Sequence, residues 1–123
     1  MTRKKTILLI DQDQDVRRTA ATVLGEAGFD LDLASDGRSG LEKLEAGHHR
    51  GVLIDAGIAC LGTENLGGRI AELATLHGIP VIMTTTKATR AAIPQGFAAG
   101  VTACLAKPLT VNSLRAVVNG LVQ

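Results

Sequence analysis

"ILLIDQDQDVRR", residues 7–18, decides how the rest of the chain is read. Four apolar residues in a row, Ile7 to Ile10, are what a strand buried on both faces shows. They run straight into Asp11, Gln12, Asp13, Gln14 and Asp15. Acids spaced by glutamines behind a buried strand are either a solvated loop or the rim of a cation or phosphoryl site. The choice depends on what stands at the ends of the other strands.

Four more strand-like stretches follow, each separated from the next by a helix-like pattern. "DVRRTAATVLGEAG" (15–28) places Val16, Ala20, Val23, Leu24 and Ala27 on one helical face, with Gly28 as a stop. "FDLDLAS" (29–35) alternates with period two and reads as an edge strand. A short amphipathic helix (36–47) leads to "GVLIDAG" (51–57), a second apolar run that meets an acid, Asp55. The helix at 63–78 carries Leu66, Ile70, Leu73 and Leu76, and its Gly67-Gly68 pair costs up to about 1 kcal/mol per glycine in propensity. "IPVIMTTT" (79–86) ends in three threonines, and "AAIPQGFAAG" (91–100) is a weak helix with Pro94 suited only to its first turn. "VTACLAK" (101–107) is the fifth strand, broken by Pro108, and a last amphipathic helix begins behind Thr110 as N-cap.

Five strand–helix units with short connections predict an α/β fold: a doubly wound parallel sheet of five strands with five helices on its two faces. Residues 1–123 read as a single domain, with no output domain after the fifth helix. Composition narrows the function classes. Aromatics are 2% of the chain, with no Trp or Tyr, so neither base stacking nor a stacked flavin is served. A net charge of +1 gives no long-range attraction to nucleic acid, and "MTRKK" reads as a solvated tail. No apolar run approaches the ~20 residues of a membrane span, and no secretory signal is seen. Cys60 and Cys104, far apart and without paired spacing, read as reduced thiols used for packing in a cytoplasmic protein.

In such a sheet the ligand site lies at the carboxyl ends of the strands, where strand order reverses. Asp11 ends the first strand, Asp55 the third, Thr84 to Thr86 the fourth and Lys107 the fifth. A carboxylate can attack phosphorus and become an acyl phosphate once the repulsion between anions is neutralised. Magnesium held by oxygens supplies that neutralisation, and an ammonium and a hydroxyl bind the phosphoryl oxygens. Asp11 and Asp55 on the metal side, Thr85 as hydroxyl and Lys107 as ammonium complete the set. Register decides Thr85, because a slip of one residue exchanges it for Thr84 or Thr86. Asp13 and Asp15 read as cap and helix-start acids, Arg17 and Arg18 as a solvated helix face, His48 and His49 as solvated loop, and His77 as a partner of a helix dipole.

With these stretches in order, the chain resembles the receiver domains of two-component response regulators, the CheY-like superfamily. The resemblance covers nearly the whole chain. It implies a flavodoxin-like strand order of 2-1-3-4-5. It implies Asp55 as phosphoacceptor, receiving its phosphoryl group from a histidine kinase or histidine phosphotransfer protein. Asp11 would be the first of an acidic pair, Gly57 would offer its backbone carbonyl to Mg2+, Thr85 would be the switch hydroxyl, and Lys107-Pro108 a cis peptide bond. It implies a signalling module rather than an enzyme, with no direct nucleic-acid or membrane partner and at most a weak homodimer. The departures are specific. Gln12 stands where the family has a second acid, so as a metal ligand it brings an amide and no charge. Cys104 stands where the family has an aromatic switch residue, and "GIACLGTEN" replaces the usual proline-containing loop. Two alternatives stay open. One is a degenerate receiver that binds protein without phosphorylation. The other is a phosphatase of the haloacid-dehalogenase type using Asp11, against which stands the absence of any acid after Lys107.

Overall fold

The computed structural model describes residues 5–61 and 65–121. Five strands, β1 (Thr6–Ile10), β2 (Asp30–Ala34), β3 (Gly51–Asp55), β4 (Val81–Thr85) and β5 (Ala103–Ala106), form one parallel sheet in the order β2-β1-β3-β4-β5. This is the flavodoxin-like order. The helices are α1 (Gln14–Glu26), α2 (Gly37–Ala46), α3 (Ala56–Leu61), α4 (Leu66–Leu76), α5 (Ile93–Ala99) and α6 (Val111–Leu121), with a short 3-10 turn at Arg90–Ala92 ahead of α5.

Side-chain alternation along the strands divides the core in two. Leu8, Ile10, Val52, Ile54, Val81 and Met83 share one buried cluster with residues of α2 and α4. Ile7, Leu9, Leu53 and Ile82 share the other with Ala20, Val23 and Leu24 of α1 and Leu114 of α6. Strands buried on both faces explain the unbroken apolar runs. β2, at the sheet edge, keeps the period-two pattern instead.

Local chemistry starts and stops the elements much as the sequence predicts. Asp13 caps α1, its side chain accepting the Asp15 N–H at 2.9 Å, and Asp36 caps α2 by accepting the Ser39 N–H at 2.7 Å. Gly28, at φ 95°, takes the left-handed conformation beyond α1. Thr110 accepts the Ser113 N–H at 3.1 Å at the start of α6. Pro94 lies in the first turn of α5. The expected helix at 63–78 is α4, and residues 63 and 64 lie outside the described residues, as does most of the "MTRKK" tail.

Two features were not anticipated. β3 ends at Asp55, and the chain turns at once into α3, which makes a sixth helix. From sequence, "GIACLGTEN" reads as the loop behind Asp55. Yet strand pairing stops at Asp55, opposite Thr84, and Ala56 is buried as the helix begins. Gly67 has its reason here too: a β-carbon on it would collide with the backbone of Ala59, so α3 rests directly on α4. The helix-propensity cost of this glycine is the condition for that close approach.

Candidate functional site: an acid pair bridged by lysine

The strand order reverses between β1 and β3, and their carboxyl ends carry Asp11 and Asp55. Register sets the level, since Ile10 pairs with Ile54. Asp11 is 1% exposed and Asp55 8%. Lys107 reaches them from beyond β5, its backbone N–H tied to the Thr85 carbonyl at 2.7 Å. Its Nζ lies 2.8 Å from Asp55 Oδ1, to which it donates a hydrogen bond, and 2.8 Å from Asp11 Oδ2. The second contact is an ion pair by distance alone, because Asp11 Oδ2 accepts no well-directed hydrogen bond. Lys107-Pro108 is cis.

Each carboxylate is further oriented by backbone. Asp11 Oδ1 accepts the Asp13 N–H at 2.9 Å, and Asp55 Oδ2 accepts the Gly57 N–H at 3.0 Å. Arg17 was read as solvated, but its Nη1 donates to the Asp11 carbonyl at 2.6 Å and the contact is partly buried. Only the cap at Asp13, which sets where the first turn of α1 faces, could have hinted at this. Burial works to lower the Lys107 pKa, but the contacts with Asp11 and Asp55 outweigh it and hold the ammonium above its usual range.

The remaining candidates fall around this cluster. Thr85, 4% exposed, ends β4. Thr84 stands opposite Asp55 in register, and its buried hydroxyl has no partner among the described residues. Gln12 is exposed. Gly57 lies in the first turn of α3, where a helical carbonyl is directed to the N–H four residues on.

Two carboxylates against one ammonium leave an excess of negative charge, and Asp11 Oδ2 is a buried acceptor short of a donor. All the donors are oxygens. That chemistry suits Mg2+, which needs only one or two carboxylates and keeps several waters. No group of three His, Cys, Asp or Glu side chains suited to a metal exists among the described residues, so a metal here depends on this pair and its neighbours.

Residues 7–119 match the response regulator receiver domain family. The chain belongs to that family. Receiver domains are signalling modules rather than enzymes in the ordinary sense, and they typically bind Mg2+. This receiver domain is 30% identical over 109 residues to the sensor histidine kinase RcsC of Escherichia coli (strain K12), covering 89% of the chain and 11% of the kinase. It is 30% identical over 109 residues to a CpxR homolog, a transcriptional regulatory protein of Haemophilus influenzae, covering 88% of the chain and 46% of that protein. It thus spans less than half the length of these two relatives. Against chemotaxis protein CheY-3 of Vibrio cholerae it is 28% identical over 116 residues, covering 94% of the chain and 89% of that protein. The crystal structure of Vibrio cholerae CheY4 superposes with a TM-score of 0.83 at 21% identity, covering 97% of this receiver domain and 99% of that chain. No helix among its described residues is long and apolar enough to cross a membrane.

Proposed function

We propose that this receiver domain accepts a phosphoryl group on Asp55 from a phosphohistidine of a histidine kinase or phosphotransfer protein. The observation that carries the proposal is the Lys107 ammonium, 2.8 Å from both Asp11 and Asp55 at the point where strand order reverses. An oxygen of Asp55 attacks phosphorus, the bond from phosphorus to the histidine nitrogen breaks, and an acyl phosphate remains on Asp55. Lys107 already lies within bonding distance of the attacking carboxylate, so it can pass to a phosphoryl oxygen as the new bond forms. Thr85 is the proposed hydroxyl at the end of β4, with Thr84 as the register alternative. Asp11 and Asp55 would hold Mg2+, which supplies the charge that lets one anion approach another. Gln12 can add an amide oxygen from its exposed position, and the Gly57 carbonyl is the proposed backbone ligand. We read residues 1–123 as one receiver unit acting in the cytoplasm.

Acetyl phosphate with magnesium should label Asp55, and Asp55→Asn should abolish the labelling, as read by mass spectrometry. Labelling that survives in Asp55→Asn but vanishes in Asp11→Asn would sink the proposal in favour of phosphatase-type chemistry. The exposed amide of Gln12, in place of a second acid, favours one other reading, a receiver that binds its partner unphosphorylated. Absence of labelling with every donor would favour it.

A further inference from the structure

Below the carboxylate cluster, on the sheet face that α3 and α5 cover, three sulfur-bearing side chains share one packing cluster. Cys60 on α3 points its Sγ to within 3.8 Å of the Met83 Sδ on β4. Met83 is the register partner of Cys104 on β5, so the two side chains leave the same face of the sheet. All three belong to or pack against one core cluster. The two thiols are free and half-buried, and the charge of Cys60 bears on Cys104. The other neighbour of Cys60 Sγ is the Ala92 carbonyl, at 3.9 Å.

We propose that Cys60, Cys104 and the thioether of Met83 form a binding site for a soft monovalent cation of the Cu(I) type. The site is independent of phosphorylation at Asp55. Thiolates and thioethers select such ions, whereas magnesium and calcium take oxygen. Metal–sulfur bonds of about 2.3 Å in a trigonal arrangement hold their sulfurs about 4 Å apart. That is the spacing of Cys60 and Met83. Zinc would want four nitrogen, oxygen or thiolate donors, and no group of even three such side chains suited to a metal is present among the described residues. A dithiol–thioether set is therefore selective as well as soft. Burial raises both thiols above their ordinary pKa, so the empty site is uncharged. Binding exchanges two thiol protons for one cation and moves no electrons, and affinity rises with pH. Gly96 leaves the room in which the Met83 thioether lies, since a β-carbon there would come within 2.8 Å of the sulfur.

The test is anaerobic titration of the 123-residue chain with Cu(I) against a chromogenic chelator, with thiolate-to-copper absorption in the ultraviolet as a second readout. One equivalent should bind. The double variant Cys60→Ala, Cys104→Ala should lose binding, with circular dichroism confirming its fold. Met83→Leu conserves core volume and should weaken binding about tenfold, or about 1.4 kcal/mol. Asp55→Asn should bind as the parent does, which separates this site from the carboxylates. The proposal is overturned if the parent binds no copper, or if copper still binds the double variant. Unchanged affinity in Met83→Leu, or zinc held as tightly as Cu(I), would overturn it equally.

Discussion

Two ionic clusters in this receiver domain combine acids and bases to opposite ends. At the carboxyl ends of the strands, Asp11 and Asp55 share one ammonium, Lys107. On the flank under α2, one acid, Asp32 of β2, is shared by two donors. It meets His49 Nε2 at 2.9 Å and Lys43 Nζ at 3.2 Å. Lys43 also donates to the Leu33 carbonyl at 2.6 Å, and His49, expected as solvated loop, has a side chain only 2% exposed. The first cluster is short of positive charge, and the second is not. One has a surplus of acid, as the proposed cation site requires, and the other is closed around its acid. The surplus of acid over base separates a site from a brace.

The largest expected effect is on the open cluster. Lys107→Met leaves two buried acids facing each other and should cost about 3 kcal/mol by urea unfolding at neutral pH. Magnesium should restore part of that loss. His49→Ala should cost about 2 kcal/mol, from the lost ring volume and from Asp32 losing a donor, with no recovery in magnesium. Recovery in both variants would erase the contrast between the clusters. Gln12→Asp widens the contrast by adding a third acid to the open cluster. From its exposed position it should tighten magnesium about tenfold, worth about 1.4 kcal/mol, by titration of both proteins. Equal affinities would mean that position 12 lies outside the reach of the ion.

The smallest effect is on the pH limits of stability. Burial works to raise the Asp32 carboxyl, but hydrogen bonds and charges from His49 and Lys43 outweigh it and hold it below the usual range. Asp32 therefore contributes stability above an unfolded pKa of about 3.9, and loses it as pH falls through the lower folded value. Lys107, raised when folded, contributes below an unfolded pKa of about 10.4 and loses it as pH rises through the higher folded value. Asp32→Asn should flatten the acid limb of the stability curve slightly, since Asp32 is a third exposed. Lys107→Met should flatten the alkaline limb. Crossed effects would overturn the pairing of limbs with clusters.

The open cluster was legible in the sequence because each of its residues ends an apolar run, and a parallel sheet brings such ends to one edge. Asp11, Asp55 and Lys107 needed no contact information to be placed together. The closed cluster was not legible. Asp32 sits mid-strand, Lys43 in the last turn of α2 and His49 in a connection, and only the packing of α2 on the sheet edge joins them. Arg17 escaped for the same reason, since its partner is a backbone carbonyl that carries no sequence mark. α3 was missed because "GIACLGTEN" was read as the loop that follows Asp55, and its six helical residues are too few to show a helical period. Strand order was available because apolar runs alternated with amphipathic ones and a family resemblance supplied the winding.

The junction of β3 with α3 has no slack. Asp55 is the last residue of the strand, Ala56 is the first of the helix, and the Gly57 amide is fastened to the Asp55 carboxylate. Any chemistry that draws that carboxylate elsewhere pulls on the helix as on a lever with its fulcrum at the strand end. Because α3 lies against the backbone at Gly67, the load passes on to α4. Amide exchange at Gly57 and along α4 would register it. Exchange at Gly57 that stays constant when Asp55 is modified would show that the lever is not engaged.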